Sequence, residues 1–316
     1  MSRSITHLIT PIRPEDEKLY TKVLRREYAN ETYANNWAYI TQACRGSGGL
    51  GQKYFDGTTL VSIGMHEGHY VLVRPLGANT VAAAQVFCRE FYQISGKPVY
   101  VKHVLPEQAD NLKCIGFSDI REYPWSESFP RDDDTFPQPV IELDSIIGTK
   151  IDEPQHADIR LRLNRFLNNM TERNFFYFHF QDYEPSENEH QKAQARGVIS
   201  EWANGDREKA AAYENMVEHP PSEGFSYLAR FGNLAAGFMV FGRTGNESAG
   251  CHANVCNYRN MPGVSEACMI TAFSKLAANG IKRVNLGGSE TRQLHDFKMK
   301  FKPHELRESI HMVYLP

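Results

Sequence analysis

Hydrophobic and polar positions in the first half of the chain form two short alternating runs followed by a longer helical pattern. The segment TTLVSIG-MHEG-HYVLVRPLG (residues 58–77) predicts two strands joined by a tight turn, because alternate side chains of a strand face opposite sides of a sheet. A helix is predicted from about Asn79 to Ser95, since Gly96 suits the left-handed conformation that ends a helix. The run PVYVKHV (98–104) then predicts another strand.

The second half repeats this order of elements without repeating the residues. Its hydrophobic runs predict three strands, at residues 225–231, 234–242 and 249–256. A helix from about residue 264 to residue 279 follows, and Gly280 is placed to end it. The run KRVNLG (282–287) predicts the strand after this helix.

The shared order of antiparallel strands, a helix and a parallel strand determines the expected fold class. It predicts an α/β (α+β) protein with two mixed sheets flanked by helices. The acidic, proline-containing RDDDTFPQP (131–139) precedes an amphipathic pattern around IRLRLNRF (159–166), which indicates a domain boundary. We therefore expect two domains that meet near residue 150, at residues 1–150 and 151–316, and a length of 316 residues suits two domains.

Composition narrows the class of protein. With 41% hydrophobic and 23% charged residues the chain is typical of globular proteins, and a net charge of -3 gives no overall basic field for nucleic acid. Any nucleic-acid contact must therefore be a local patch. The N-terminal sequence lacks the apolar core of a signal peptide, and no run approaches the roughly 20 apolar residues of a transmembrane helix. These features predict a cytoplasmic protein without a transmembrane segment.

Two patterns suggest chemistry at first sight but favour simpler interpretations. The six cysteines are scattered, and the closest approach to metal-ligand spacing is Cys251-His252 with Cys256. We expect buried thiols and no metal site. The glycine run GSGGLG (46–51) lacks the Lys-Ser/Thr ending of a phosphate-binding P-loop, so it predicts a flexible loop.

Polar residues in the second half form a first group of candidates. His252 and Asn254 alternate on a predicted strand, with Cys256 continuing the row, so the three are expected to face one side. Either they are satisfied core groups or they line a site. Glu266 lies in the first turn of the next predicted helix, where a carboxylate complements the helix dipole.

The segment VNLGGSETRQLHDFKMKFKP (284–303) forms a second group. Gly287 and Gly288 allow a ligand to approach the backbone closely, and Ser289 can donate its hydroxyl or cap a helix. Phe297 and Phe301 are four residues apart and are expected to anchor one helical turn in the core. Lys298 and Lys300 are expected to project away from this anchor, with Lys302 just beyond the turn. Together with Arg292 and the glycines, Lys298 and Lys300 predict an anion site.

Seven stretches of the second half, taken in order, resemble the C-terminal domain of the phosphatidylglycerol lysyltransferases. They are IRLRLNRF (159–166), ISEW (199–202), DREKAAAY (206–213), NLAAGFMVFG (233–242), VNLGGS (284–289), LHDFKMKFKP (294–303) and MVYLP (312–316). The resemblance implies a tandem acetyltransferase-like (GNAT) fold in which the second copy carries the active site. The chain departs from the lipid-modifying enzymes in lacking their multi-span membrane part.

The resemblance also implies a reaction. An amino acid would move from charged tRNA to an amine or hydroxyl of a small molecule, peptide or lipid head group. Glu266 would hold the incoming amino group or assist proton transfer, with His252 as a second catalytic candidate. Lys298 and Lys300 would bind the terminal phosphates of the tRNA acceptor end. An aminoacyl ester is already activated, so aminoacyl-tRNA serves as co-substrate and no further cofactor is expected.

Two alternatives belong to other functional classes. An acyl-CoA-dependent N-acyltransferase of the same fold would use acetyl-CoA, and NYRNMPGVSEAC (257–268) faintly resembles the required turn through Arg259 and Gly263. Pro262 and Glu266 disfavour that alternative, because they spoil the cradle of backbone amides that a pyrophosphate needs. The second alternative is a binding module that has kept the fold without catalysis.

Overall fold

The computed structural model describes residues 5–30, 32–44, 50–120, 136–172, 177–185, 188–257 and 261–316. Over these residues the helices are α1 (Glu17–Leu24), α2 (Trp37–Ala43), α3 (Thr80–Ser95), α4 (Pro106–Lys113), α5 (Ala157–Glu172), α6 (Glu189–Ala203), α7 (Arg207–Glu218), α8 (Val264–Ala278) and α9 (Arg292–Met299). The strands over the same residues are β1 (Thr10–Pro11), β2 (Gln52–Phe55), β3 (Thr59–His66), β4 (His69–Gly77), β5 (Val99–Val104), β6 (Phe117–Asp119), β7 (Gln138–Glu142), β8 (Phe178–Asp182), β9 (Gly224–Phe231), β10 (Leu234–Arg243), β11 (Ser248–Cys256), β12 (Arg283–Asn285), β13 (Glu305–Arg307) and β14 (Ile310–Tyr314).

The chain forms two compact units. The first comprises Met1–Gln138, Gly288–Arg292 and Arg307–Pro316, and the second comprises Pro139–Gly287 and Gln293–Leu306. The sheet of the first unit has the strand order β1-β2-β3-β4-β5-β14-β6 over the described residues. Within it, β4 and β5 are parallel, whereas β3 and β4 form an antiparallel hairpin.

Local sequence explains the hairpin and the helix that follows it in the first unit. Glu67 and Gly68 connect β3 to β4, and both have positive φ (46° and 78°), as the favoured two-residue hairpin turns require. Helix α3 buries Ala84, Phe87, Cys88 and Phe91 against the sheet, which is the spacing of one helical face. Gly96 then ends α3 in the left-handed conformation (φ 65°), as the sequence predicts.

Helices cover both faces of the first sheet. Helices α3 and α4 contribute to a core with side chains such as Val61, Leu72 and Val101. Helices α1 and α2 pack on the opposite face, in a second core with Leu60 and Val73. Since neighbouring strand residues alternate between these two cores, both faces of the central strands are buried, which explains their nearly continuous hydrophobic sequence.

The sheet of the second unit has the strand order β13-β7-β12-β11-β10-β9-β8 over the described residues. Strands β10 and β11 are antiparallel, and β11 and β12 are parallel. Helices α5 and α8 pack on one face, where Ile159, Phe166, Met269 and Phe273 share a core with sheet residues. Helix α6 packs against β10 and β11.

Each unit thus contains an antiparallel hairpin, a helix and a strand parallel to the second hairpin strand. These elements are β3, β4, α3 and β5 in the first unit and β10, β11, α8 and β12 in the second. The predicted fold class, an α/β protein with two mixed sheets flanked by helices, is confirmed. That α3 and α8 superpose when the two units are overlaid stays a prediction.

Two strands lie in sheets that the local sequence does not indicate. Strand β7 precedes residue 150 yet pairs with β12 in the second sheet. Strand β14, from the last residues of the chain, pairs with β5 and β6 in the first sheet. The predicted boundary near residue 150 reflects a change in local composition, whereas these pairings join residues far apart in sequence. The boundary itself stays a prediction.

Candidate functional site

Strands β11 and β12 of the second unit separate after a short parallel pairing. They pair over Ser248–Gly250 and Arg283–Asn285, but β11 continues to Cys256 while the chain leaves β12 through Leu286 and Gly287. Separation of two parallel strands exposes backbone groups between them, and ligands of open α/β sheets bind at such crevices beyond the strand ends.

His252 is the extra residue of a β-bulge. Cys251 pairs with Phe241 and Ala253 pairs with Val240, so no residue of β10 lies opposite His252. The bulge interrupts the regular strand alternation at His252, and that this side chain faces the same side as Asn254 and Cys256 stays a prediction. Burial lowers the pKa of His252 to about 3, which keeps the imidazole neutral and makes it a weak proton acceptor. Its catalytic role stays a prediction.

Asn254 and Cys256 retain the regular strand alternation, opposite Met239 and Gly237. The Sγ of Cys256 donates to the Oδ1 of Asn254 over 3.4 Å. Asn254 is half-buried and Cys256 is buried, so this polar pair lies at the edge of the core of the second unit. A role of Asn254 in binding a substrate stays a prediction.

Glu266 is a buried carboxylate at the third position of α8, with 6% of its surface exposed. The Nζ of Lys300 donates to its Oε1 over 3.1 Å and lies 5.3 Å from the ring centroid of Phe297. The carboxylate stabilises the ammonium by a charge-assisted hydrogen bond, and the aromatic ring stabilises it by a cation–π interaction. The arrangement can therefore bind an ammonium group, and in the structure that group belongs to Lys300.

The start of α8 is packed closely against α5. Gly263 caps the helix with φ 87°, and a Cβ at this position would lie 2.4 Å from the carbonyl oxygen of Arg162. Only glycine fits there without displacing backbone. The backbone at the helix start is thus covered by α5, which leaves little room for a pyrophosphate. Arg259, the other residue of the predicted CoA-like turn, lies outside the described residues.

Gly287 is held by two side chains at the end of β12. Its N–H donates to the Oδ1 of Asn285 over 2.8 Å, and its carbonyl accepts from the Nζ of Lys298 over 3.1 Å. Gly287 has φ 70°, a conformation that favours glycine. Asn285 was missed by the sequence interpretation, although an asparagine two residues before a glycine is a known signal for a side-chain-closed turn.

The ammonium of Lys300 lies 5.3 Å from the ring centroid of Phe297, so the prediction that this lysine projects away from its aromatic anchor is wrong. For Lys298 the same expectation stays a prediction. Lys298 reaches the Gly287 carbonyl and Lys300 reaches Glu266, and both lysines are half-buried. The anchor itself is confirmed in part: Phe301 is fully buried and its ring centroid lies 5.5 Å from that of Phe297. Helix α9 ends at Met299, so Phe301 follows the helix instead of belonging to it.

The other predicted residues, Gly288, Ser289 and Arg292, belong to the first compact unit. The backbone carbonyl of Ser289 accepts from the N–H of Phe136 over 3.0 Å. Its Oγ is buried and has no hydrogen-bond partner among the residues that the structure describes. Arg292 is exposed at the first position of α9. Their proposed contacts with a substrate stay predictions.

Comparison with known proteins identifies the fold. No family model matches the sequence, and no curated protein matches it. Among solved structures, the C-terminal DUF2156 domain of a lysylphosphatidylglycerol synthetase from Agrobacterium fabrum matches with a TM-score of 0.64 and 12% identity, over 95% of this chain and 90% of that one. The chain has the fold of this synthetase domain.

Two further structures agree. L-PGS from Bacillus licheniformis matches with a TM-score of 0.63 and 15% identity, over 96% of this chain and 92% of that one. A conserved protein of unknown function from Bacteroides thetaiotaomicron VPI-5482 matches with a TM-score of 0.69 and 12% identity, over 97% and 99% of the two chains. At these identities the similarity to the synthetase domain concerns the fold.

In the described part of the chain, no helix is both long and apolar enough to cross a membrane. Nor does that part of the chain contain a cluster of three or more His, Cys, Asp or Glu side chains suited to a metal ion.

Proposed function

We propose that this protein is an aminoacyltransferase that takes an amino acid from charged tRNA and transfers it to an amine or a hydroxyl. The acceptor would be a small molecule, a peptide or a lipid head group. The observation that carries the proposal is the buried Glu266 carboxylate, paired with the Lys300 ammonium beside the Phe297 ring. The fold shared with lysylphosphatidylglycerol synthetase over nearly the whole chain supports the same reaction class.

The pair suits an aminoacyl donor because an amino acid esterified to tRNA retains a free α-ammonium group. In the proposed reaction this ammonium replaces Lys300 at Glu266. Lys300, with 28% of its side chain exposed, then becomes available for a phosphate of the tRNA acceptor end. One positive charge thus replaces another at the buried carboxylate, so Glu266 stays paired throughout.

The transfer step requires the protein to orient the acceptor and the ester, and it requires no nucleophilic group of the protein. The acceptor nitrogen or oxygen attacks the ester carbonyl, loses its proton, and the ribose hydroxyl of the tRNA leaves with a proton. The ester is activated already, so neither a covalent enzyme intermediate nor a further cofactor is required. Placement of the acceptor against the ester carbonyl and stabilisation of the oxyanion are the contributions asked of the protein.

The acyl-CoA alternative receives less support from the same region. A pyrophosphate binds to free backbone N–H groups at a helix start, and negative charge is favoured there. In α8 the first turn already carries the Glu266 carboxylate, and Gly263 packs against the backbone of α5. A second anion at this position would be repelled by Glu266.

The test is incubation of the protein with a pool of tRNAs charged with radiolabelled amino acids. Loss of label from one charged species, above spontaneous hydrolysis, identifies the donor, and transfer of label to a cell-extract fraction identifies the class of acceptor. Glu266→Gln serves as the impaired control, because it keeps the shape of the side chain and removes its charge. Acetyl-CoA titrated in a calorimeter is the parallel arm. Stable charged tRNAs together with tight acetyl-CoA binding would refute the proposal.

A further inference from the structure

We infer that Lys298 is a positioning residue, which holds the backbone at the end of β12 in the geometry that the transfer reaction needs, and not a phosphate ligand. The inference rests on the proposed function and concerns the same region of the second unit. It starts from the observation that both polar backbone groups of Gly287 are bound by side chains, one from Asn285 and one from Lys298.

The two side chains come from different elements. Asn285 is the last residue of β12, and Lys298 lies in the last turn of α9, eleven residues after Gly287. Gly287 is buried, so its carbonyl needs a partner inside the protein, and an ammonium is a strong one. Lys298 therefore links α9 to the strand end, and removal of its ammonium leaves a buried carbonyl unsatisfied.

The ammonium of Lys298 also acts on the neighbouring strand. Burial raises the pKa of the Cys251 thiol, on β11, to about 12, and the charge of Lys298 opposes that shift. Cys251 is the first residue of β11 beyond its pairing with β12. Lys298 is thus close enough to influence both strands at the point where they separate, which is where the candidate site begins.

The hydrogen bond to the carbonyl of Gly287 also fixes the orientation of the peptide N–H that follows it. A trans peptide is planar, so the direction of this carbonyl sets the direction of the next N–H, which points the opposite way. The left-handed conformation of Gly287, with φ 70°, is shared by few other residue types and determines the path of the chain out of the strand. Catalysis tolerates little displacement, and a shift of about 1 Å costs about a hundredfold in rate.

A lysine that binds phosphate and a lysine that positions the backbone affect the kinetics differently. A phosphate ligand contributes to tRNA binding, so its loss raises KM and lowers the dependence of binding on salt by about one counterion. A positioning residue contributes to the reaction step, so its loss lowers kcat and leaves KM and the salt dependence unchanged.

The experiment compares three variants of the full chain. Lys298→Met keeps the length of the side chain and removes the donor, Lys298→Arg keeps a cationic donor, and Lys302→Met removes the same charge from an exposed residue four positions away. We expect Lys298→Met to lower kcat by about tenfold to a hundredfold at unchanged KM for charged tRNA. Lys298→Arg is expected to recover most of the loss, and Lys302→Met to keep the wild-type kcat.

A second readout does not depend on activity. Hydrogen–deuterium exchange of the peptide that contains Gly287 should be faster in Lys298→Met than in wild type or Lys302→Met, since the turn has lost one of its two restraints. Equal exchange in Lys298→Met and Lys302→Met would overturn the inference, as would a raised KM with unchanged kcat. If the wild-type protein transfers no amino acid, the proposed function fails, but the exchange data still decide whether Lys298 positions the turn.

Discussion

The ammonium of Lys300 lies 3.1 Å from the buried carboxylate of Glu266, although 34 residues separate the two along the chain. The side chain of Glu266 is 8% exposed and that of Lys300 is 28% exposed, so the carboxylate is buried whereas the ammonium reaches solvent. The buried carboxylate therefore has a partly exposed cationic partner, and this relationship motivates the first prediction.

Glu266→Gln should lower kcat/KM for the charged tRNA by about tenfold to a hundredfold, the value of a hydrogen bond to a charged group. The midpoint of thermal unfolding should change little, because the freed Lys300 reaches water. Steady-state kinetics and calorimetry measure the two effects. Glu247→Gln is the matched control, since it breaks an exposed pair with Lys282 and should leave kinetics unchanged. Wild-type kinetics in Glu266→Gln would refute a direct role of this carboxylate.

Phe301→Ala should lower the free energy of unfolding by about 3–5 kcal/mol, because a fully buried ring is replaced by a cavity. The ring packs edge to face on Phe273 (centroids 5.6 Å apart) as well as on Phe297. Urea unfolding measures the loss. Leu306→Ala, at a site 47% exposed, removes a side chain nearby and should cost much less. Similar losses in the two variants would show that Phe301 is not the anchor.

Ser289→Ala should leave stability unchanged or raise it by about 1–3 kcal/mol, since a buried hydroxyl without a partner among the described residues carries a desolvation cost. If that hydroxyl binds substrate, the transfer rate should fall in the same variant. Ser309→Ala is the contrasting change, because Ser309 accepts from the Nε2 of Gln138 and its loss should destabilise the fold. A destabilised Ser289→Ala variant would indicate that the hydroxyl is satisfied within the protein.

Stability should depend on pH through His252. Burial lowers the pKa of His252 from its ordinary 6.5 to about 3, so the unfolded chain binds this proton at a higher pH than the folded chain does. The stability that this neutral histidine contributes is therefore complete above pH 6.5 and is lost as the pH falls toward 3.

The measurement is a comparison of wild type with His252→Asn by urea unfolding at several pH values. Between pH 6 and pH 4 the wild type should lose about 1.4 kcal/mol per pH unit more than the variant. The difference between the two proteins isolates His252, because every other titrating group is common to both. Parallel curves would mean that His252 is protonated in the folded protein over this range.

Binding of charged tRNA should weaken steeply with salt even though the net charge of the chain is -3, because each neutralised phosphate releases counterions. Filter binding between about 50 and 200 mM salt gives the slope of log K against log salt. A slope near zero would show that no cluster of cations contacts the tRNA backbone, and the donor would have to be sought elsewhere.

Several features of this protein follow from short stretches of sequence. The turn at Glu67 and Gly68, the buried face of α3 and its end at Gly96 all agree with the predictions. The burial of Phe301 also follows from its local pattern. In each case the deciding interactions lie within one turn of helix or one hairpin, so the residues that fix the geometry are close together in the chain.

Other features, namely strand pairing, the bulge at His252 and the lysine contacts, depend on residues that are distant in sequence and adjacent only in the folded protein. The pairing of β7 with β12 and of β14 with β5 joins segments more than a hundred residues apart, and no local pattern encodes such a choice. The bulge at His252 depends on its register against β10. Lys298 and Lys300 were expected to point away from Phe297 and Phe301. The sequence around a lysine does not reveal which acceptor its ammonium will contact, so their actual partners were missed. A lysine side chain is long and flexible, so its direction is set by whichever acceptor the fold places within reach, here Gly287 and Glu266.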